Sequence, residues 1–348
     1  MRIEDEIKLT FDDVLIRPKR RTLVSRSEVV LERQFKFKHT NEIWTGVPIF
    51  SANMDTTGTF ETAITLQKHK MLTAIHKFYS IKDWEKNVEK LDPNFISVTV
   101  GQSKEDLQLG QKIFSLNSDI KYLCIDVANG YREDFINSVK NYRETFPDKI
   151  IIAGNVATRE MTEALILAGA DIVKIGIGPG SVCTTRSVAG VGYPQLSSIS
   201  ECSDAAHGLG GHVMADGGCK YPGDVSKAFG AGADYVMLGG MFAGHKESGG
   251  ELVTDEEGVQ YKDFYGMSST KAQQTYYGDL AEHRAPEGKK VRLRYKGELD
   301  KTVQSILGGM RSACSYVGAK KLKDLPKSTT FIRVTQTTNE IFTGSENI

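Results

Sequence analysis

From Val47 onward the chain alternates short apolar runs with longer amphipathic stretches, and the alternation keeps a steady rhythm. Runs rich in β-branched residues lie at 47–52 (Val-Pro-Ile-Phe-Ser-Ala), 72–75 (Leu-Thr-Ala-Ile), 95–100 (Phe-Ile-Ser-Val-Thr-Val) and 122–127 (Tyr-Leu-Cys-Ile-Asp-Val). Four more lie at 149–153 (Lys-Ile-Ile-Ile-Ala), 171–175 (Asp-Ile-Val-Lys-Ile), 212–215 (His-Val-Met-Ala) and 234–238 (Asp-Tyr-Val-Met-Leu). Such runs read as strands buried on both faces. Between them, Tyr131, Phe135, Val139, Tyr142 and Phe146 fall at helical spacing, as do Met161, Ala164, Leu165 and Ala168. Thr158 suits an N-cap, Gly169 a C′ position and Pro222 a helix start. The unit Ala-Gly-Ala-Asp-Ile-Val-Lys-Ile-Gly at 168–176 returns as Ala-Gly-Ala-Asp-Tyr-Val-Met-Leu-Gly at 231–239.

Strands alternating with helices predict a parallel sheet, and eight such units close into a (β/α)8 barrel, the TIM-barrel class of α/β fold. An open, doubly wound sheet is the alternative, because periodicity alone does not prove closure. One domain is expected, with its barrel at about 47–320, an arm at 1–46 and a tail at 321–348. Residues 241–300 break the rhythm: they are glycine-rich and charged, apart from Asp263-Phe264-Tyr265-Gly266-Met267-Ser268. The stretches 244–262 and 270–300 are expected as flap excursions over the barrel mouth after strand eight. A closing helix is expected at 306–317, then a short strand in Thr-Phe-Ile-Arg-Val and a polar, frayed C-terminus.

Composition narrows the partners. Acidic and basic residues balance at 44 each, so no global field recruits nucleic acid or an anionic membrane. The start, Met1-Arg2-Ile3-Glu4-Asp5-Glu6, does not read as a signal peptide. No apolar run approaches the roughly 18 residues of a membrane span. The five cysteines are scattered without C-x-x-C spacing, which fits neither a disulfide framework nor a zinc site. A cytoplasmic protein is expected. The cluster Arg17-Pro18-Lys19-Arg20-Arg21 reads as a solvated face, with a phosphate contact as the alternative.

In barrels of this kind the chemistry sits on loops after the strands' C-terminal ends. After the sixth run stands Gly176-Ile177-Gly178-Pro179-Gly180-Ser181-Val182-Cys183-Thr184-Thr185-Arg186. Its glycines let a ligand or ion approach the main chain, and a cysteine among polar neighbours with a cation nearby is placed to form a thiolate. Cys183 is therefore the candidate nucleophile, while Cys124, inside a strand, reads as core. A thiolate can add to an electrophilic carbon such as an amidine-like purine edge. Thr184 and Thr185 offer hydroxyls to relay a proton, and Glu287 offers the acid. Asp216-Gly217-Gly218 and Gly239-Gly240, after strands seven and eight, suit a phosphate with a carboxylate for ribose hydroxyls. His76 and Lys77 follow strand two, where they either meet an anionic cofactor or form a surface pair.

The segment Gly178-Pro-Gly-Ser-Val-Cys183-Thr-Thr-Arg186 resembles the catalytic loop shared by IMP dehydrogenases and GMP reductases. Ala52-Asn53-Met54-Asp55, Asp126-Val-Ala-Asn-Gly130, Ala153-Gly-Asn-Val156, Asp216-Gly-Gly218, Leu238-Gly-Gly240 and Tyr265-Gly-Met-Ser268 extend the likeness over nearly the whole chain. Three features favour the reductase branch. Dehydrogenases typically carry a regulatory domain after the second barrel strand, whereas only residues 76–94 separate Ile75 from Phe95 here. His283-Arg-Ala-Pro-Glu-Gly-Lys289 resembles the reductase loop rather than the dehydrogenases' arginine–tyrosine flap. Asn129-Gly-Tyr131 and Phe11-Asp-Asp-Val-Leu-Ile-Arg-Pro-Lys19 also look like the reductase.

The resemblance implies a fold and a reaction. Cys183 would attack C2 of GMP, ammonia would leave, and NADPH would reduce the covalent adduct to release IMP, with Thr185 and Glu287 protonating the amine. Asp216, Gly217, Gly218, Gly239 and Gly240 would hold ribose and phosphate. Gly266, Met267 and Ser268 would lie near base and phosphate, with Arg284, Ala285, Pro286 and Gly288 closing over them. Asp126, Val127, Ala128, Ile177, Gly178 and Lys77 would meet the cofactor, with Ser25 and Arg26 reaching it from a neighbouring subunit. A monovalent cation (K+) would rest on Gly178, Gly180, Cys183 and Arg186, the first of these through backbone carbonyls. A homotetramer is implied. Pro286 stands where the family usually has a small residue. Three alternatives remain open: an IMP dehydrogenase lacking its regulatory domain, a catalytically silent nucleotide-binding barrel, and an FMN-dependent barrel oxidoreductase.

Overall fold

The structure is a computed structural model and describes residues 1, 3–20, 25–278 and 285–335. Eight parallel strands close the barrel: β1 (Ile49–Ser51), β2 (Leu72–Ile75), β3 (Ile96–Val100), β4 (Tyr122–Asp126), β5 (Ile150–Val156), β6 (Ile172–Ile175), β7 (His212–Asp216) and β8 (Tyr235–Leu238). The closure that periodicity left open is thus settled by β8 pairing with β1 through Met237 opposite Phe50. The main helices outside are α1 (Phe60–Leu66), α2 (Ile81–Asn87), α3 (Lys104–Leu116), α4 (Glu133–Thr145), α5 (Arg159–Leu167), α6 (Gln195–Gly208), α7 (Pro222–Gly230) and α8 (Leu299–Val317). Nothing but α2 and a short 3-10 turn, Val88–Lys90, lies between β2 and β3.

Strand parity sorts the side chains. Phe50, Ala74, Tyr122, Cys124, Ile152, Ile172, Met214 and Met237 pack together inside the barrel. Their neighbours Val98, Leu123, Ile125, Ile151 and Val173 face the helices and meet Phe135, Val139 and Leu165. This two-sided burial is why the strands read as continuous apolar runs. Period 2 also decides the polar exceptions: Asp126, Lys174 and Asp216 share the inward parity and reach the upper end of the barrel.

Helix boundaries hold some differences. Thr158 is the N-cap of α5, Gly169 follows its C-cap with φ +120°, and Pro222 begins α7. Tyr131 precedes α4; its hydroxyl donates to Thr158 Oγ1 at 3.1 Å and accepts the Ala157 amide at 3.0 Å. The closing helix α8 begins at Leu299, seven residues before the expected start, because Leu299 and Val303 continue its buried stripe. The flap region forms an antiparallel sheet of β9 (Leu252–Thr254), β10 (Gln260–Tyr265) and β11 (Lys290–Arg294), with a short helix, Thr270–Tyr276, between its last two strands. The tail strand Phe331–Arg333 pairs antiparallel with Val14–Ile16 of the arm. Arg17 and Arg20 are exposed, Arg21 lies outside the described residues, and so does the C-terminus beyond Thr335. No helix among the described residues is long and apolar enough to cross a membrane.

The arm closes the bottom of the barrel. Its hairpin, Arg33–Lys36 paired with Ile43–Gly46, brings Phe35, Phe37 and Trp44 into the barrel's interior cluster, and Phe35 stacks on Tyr235 at 4.6 Å. Beside it, Asp234 collects Arg33 Nη2 at 3.0 Å, His207 Nε2 at 2.7 Å and His212 Nδ1 at 3.4 Å. Burial alone would raise the Asp234 pKa, but its bonds to His207 and His212 and the charge of Arg33 outweigh burial and hold it far below the carboxylate range. Such a group adds stability above its unfolded value of about 3.9, and that share is lost as pH falls through the folded value. Burial would lower His212, but bonding to Asp234 raises it instead. Its share is full below about 6.5 and fades as pH rises through the raised value. Asp234→Asn is expected to cost about 3–5 kcal/mol at pH 7. Urea midpoints should show the gap to wild type closing as pH is taken from about 4 toward 2; a gap independent of pH would assign the loss to packing.

Candidate active site

Above the arm, at the other end of the barrel, three inward-facing residues set the electrostatics. Lys174 is buried, and its ammonium donates to Asp126 Oδ1 at 2.7 Å and Asp216 Oδ2 at 2.9 Å. Burial would lower the lysine's pKa, but the two carboxylates more than reverse that and keep it charged. Asp126 is held below its ordinary value, since Lys174 overrides the effect of burial. Asn155 Nδ2 also donates to Asp216 Oδ2, at 3.0 Å, and to the Gly176 carbonyl at 2.9 Å. Both bonds to Asp216 fall on Oδ2, which leaves its second oxygen for a ligand hydroxyl. Asn155 lies in β5 where the pairing with β6 shifts register between Gly154 and Val156; a bulge of this kind re-aims a side chain beside a site. The strand therefore runs past its expected end at Ala153.

After β6 the chain turns through the glycine-rich loop. The Cys183 amide donates to the Gly180 carbonyl at 3.1 Å, and the next residues start a short helix, Thr185–Val188. The half-buried Cys183 thiol donates to Thr185 Oγ1 at 3.3 Å, and Thr185 Oγ1 donates to Glu287 Oε2 at 2.7 Å. Thiol, hydroxyl and carboxylate thus form one hydrogen-bonded line. Glu287 comes from the flap, whose backbone is braced against the loop. The Thr184 amide donates to the Glu287 carbonyl at 3.0 Å, the Lys289 amide to Val182 at 2.9 Å, and the Glu287 amide to Ser268 at 3.2 Å. The guanidinium of Arg186 donates to the Tyr193 carbonyl at 2.8 Å.

The glycine loops after β6, β7 and β8 converge. Gly217 has φ +90°, and a Cβ there would lie 3.0 Å from Pro179 and 3.1 Å from the Gly180 nitrogen. A Cβ on Gly240 would lie 2.9 Å from Ser181 Oγ. At Gly217 only glycine lets the two backbones meet, and the convergence collects main-chain groups and the Ser181 hydroxyl in one place.

A cavity of about 770 Å³ lies over this ensemble, lined by Asp126, Lys174, Cys183, Thr185, Asp216 and Glu287. Asn53, Met54, Lys77, Val127, Ala128, Ile177, Gly178, Gly180, Gly266, Met267 and Ser268 also line it. A second cavity of about 660 Å³ adjoins it, sharing Ala128, Ile177, Thr185, Ser268 and Glu287 and adding Asn129, Tyr131 and Ala285. Of the expected site residues, Gly217, Gly218, Gly239 and Gly240 lie in the converging loops beside the lining. Pro286 and Gly288 sit in the flap: the Pro286 carbonyl accepts Thr184 Oγ1 at 3.4 Å, and Gly288 bridges to Cys183. Arg284 lies outside the described residues. Ser25 and Arg26 line neither cavity; Ser25 caps a 3-10 turn, Arg26–Glu28, on the barrel exterior. His76 is buried and stacks on Tyr79 at 4.0 Å, with burial pushing its pKa down to about 4; of the pair, Lys77 alone lines the cavity. Lys174 was not among the expected site residues; Asn155, in the Ala153–Val156 segment at the end of strand five, was placed there without a role. The signal for Lys174 was a lone lysine at an inward position of an otherwise apolar strand.

Fold and site together define a (β/α)8-barrel enzyme with a cysteine–threonine–glutamate line at its mouth. The family model for the IMP dehydrogenase / GMP reductase domain matches residues 8–341. The chain is 58% identical over 345 residues to the GMP reductase of Buchnera aphidicola subsp. Acyrthosiphon pisum (strain Tuc7), covering 98% of this chain and 99% of that one. It is 57% identical, with the same coverage, to the GMP reductases of Escherichia coli O81 (strain ED1a) and Enterobacter sp. (strain 638). The chain belongs to the IMP dehydrogenase / GMP reductase family, and with it to the oxidoreductases.

Proposed function

We propose that the chain is a GMP reductase, converting GMP to IMP and ammonia with NADPH. The observation that carries this reading is the line from Cys183 through Thr185 to Glu287, which joins a nucleophile to an acid over one hydroxyl. This line supports one order of steps. The thiol proton passes along the line toward Glu287 while the sulfur bonds to C2 of the purine, whose π electrons move onto the ring nitrogen. The proton then returns through the same line to the exocyclic amine, the C2–N bond breaks, and ammonia leaves a thioimidate on Cys183. NADPH, when bound, supplies the hydride that C2 receives. Collapse of the C–S bond then frees IMP and the Cys183 thiolate.

The larger cavity takes the nucleotide, with its ribose on the free oxygen of Asp216 and its phosphate at the converging glycine loops. The adjoining cavity fits the nicotinamide side of the cofactor, since its shared wall at Ala128, Ile177 and Glu287 abuts Thr185 and the cysteine loop. Ser25 and Arg26 reach a cofactor only from a neighbouring subunit, which fits a homotetramer. The cation is assigned to Gly178, Gly180 and Cys183, through backbone carbonyls, together with Arg186. Gly178 has φ +85°, and a Cβ added there would lie 2.8 Å from the Arg186 stem; carbonyl oxygen donors suit a hard cation.

The dehydrogenase reading has the same nucleophile but the opposite redox direction. The test is absorbance at 340 nm in a potassium buffer, with GMP and NADPH in one cuvette and IMP and NAD in the other. A fall in the first with ammonia released is expected. A rise in the second with the first flat would replace the reading by the dehydrogenase, and no change in either would revive the silent barrel.

A further inference from the structure

We propose that Asp55 is a positioning residue for this reaction, its carboxylate clamping both ends of the lid segment over the cavity through Tyr265 and Tyr276. The inference deepens the reductase reading and rests on it for its kinetic part. Asp55 follows β1, directly after the cavity residues Asn53 and Met54. Its main chain is fixed: the Thr57 amide donates to Met54 at 3.0 Å, and a Cβ on Gly249 would meet the Asp55 carbonyl at 2.1 Å. Onto Oδ2 of this anchored carboxylate fall two phenols, Tyr265 Oη at 2.5 Å and Tyr276 Oη at 2.6 Å. Oδ1 is buried and takes no hydrogen bond among the described residues.

The two donors come from opposite ends of one segment. Tyr265 ends β10 and Tyr276 ends the short lid helix, Thr270–Tyr276. Between them, Gly266, Met267, Ser268 and Gln273 line the cavity, and Ser268 receives the Glu287 amide. The clamp therefore sets the shelf on which the acid rests. Charge-assisted bonds to a carboxylate are short and directional, whereas apolar packing alone would let the segment slide. Burial first, and then the bond to Asp55, raise both phenols above their ordinary range, so both remain donors at working pH. The Tyr276 ring also stacks on Phe78 at 3.6 Å and 12°, a contact that survives loss of the hydroxyl.

The experiment uses the full chain and four variants: Tyr265→Phe, Tyr276→Phe, their combination, and Asp55→Asn. The double variant is expected to lose about 10- to 100-fold in kcat for GMP and NADPH, because a displacement near 1 Å at the acid costs on that order. KM for GMP should move less than kcat, and each single change should cost less than the pair. Asp55→Asn, whose amide oxygen still accepts, should retain more activity than the double variant. Hydrogen exchange at 266–276, measured without any nucleotide, should rise in the double variant while melting stays near wild type. Unchanged exchange would overturn the clamp. Raised exchange with kcat within twofold of wild type would overturn its positioning role. Because exchange is read without substrate, it judges the clamp even if the wild-type chain proves inactive on GMP, a result that would strike the reaction reading instead. If Asp55→Asn does not fold, the phenylalanine variants decide alone.

Discussion

Cys183→Ala is expected to abolish turnover, by about 10⁴-fold or more in kcat, while leaving GMP binding within a few-fold of wild type. On the proposed reaction the step lost is covalent, and no other described thiol is placed to substitute. Cys124, Cys202 and Cys314 are buried in the core, and burial pushes their thiols up to about 12, about 11 and about 11. Cys219 is likewise raised well above its ordinary value by burial. A thiolate reagent should therefore find Cys183 first. The binding surface is untouched by the change: Lys174 still holds Asp216, and the glycine loops keep their backbone contacts. Calorimetry with GMP on the variant, beside the 340 nm assay, separates the two quantities. Iodoacetamide mapping of the wild type adds a check, with Cys183 expected to be labelled and GMP to protect it. Residual turnover above about one part in 10³ would mean that the sulfur is not the nucleophile.

The barrel was legible because its strands are largely buried on both faces, and runs such as Ile150–Ala153 carry that burial as unbroken apolar sequence. Its closure was expected from the count of eight βα units rather than from the period, and it is made by β8 meeting β1. The flap sheet was missed. Strands β9 and β11 alternate exposed and half-buried residues, so their pairing comes from long-range register rather than from local hydrophobicity. The cysteine loop was readable from composition alone, because glycine, proline, cysteine and two threonines in succession do not make core. Glu287 was a candidate acid from residue type, but its segment alone would pass for a charged loop, and its pairing with Thr185, 102 positions away, gained weight only from family likeness. Lys174 and Asn155 show the limit on the other side. One was hidden inside an apolar run, where its charge matters only because Asp126 and Asp216 share its parity across the barrel. The other stood at a strand end where a site was expected, but its bond to Asp216 depends on a bulge that no local pattern announces.

Glu287→Gln is expected to lower kcat by about 10²- to 10⁴-fold with a small change in KM, the range for removal of a general acid–base group. The substitution is chosen because it keeps shape and acceptor: a glutamine Oε1 can still receive the Thr185 hydroxyl, and the Glu287 backbone bonds to Thr184 and Ser268 do not involve the side chain. What it removes is the ability to carry a proton, so a loss of this size would be chemical rather than structural. Thr185→Val interrupts the same line one bond earlier and should produce a comparable loss. The informative quantity is the double variant. If threonine and glutamate act as one relay, breaking both should cost about as much as breaking either, because groups that work as a unit are not additive. If the losses instead multiply, Glu287 and Thr185 act in separate steps, and the proton must reach the amine by another route. Ammonia release in a single turnover, with enzyme in excess over GMP, places the defect: it should be slowed in all three variants, because the proton is needed before the amine can leave.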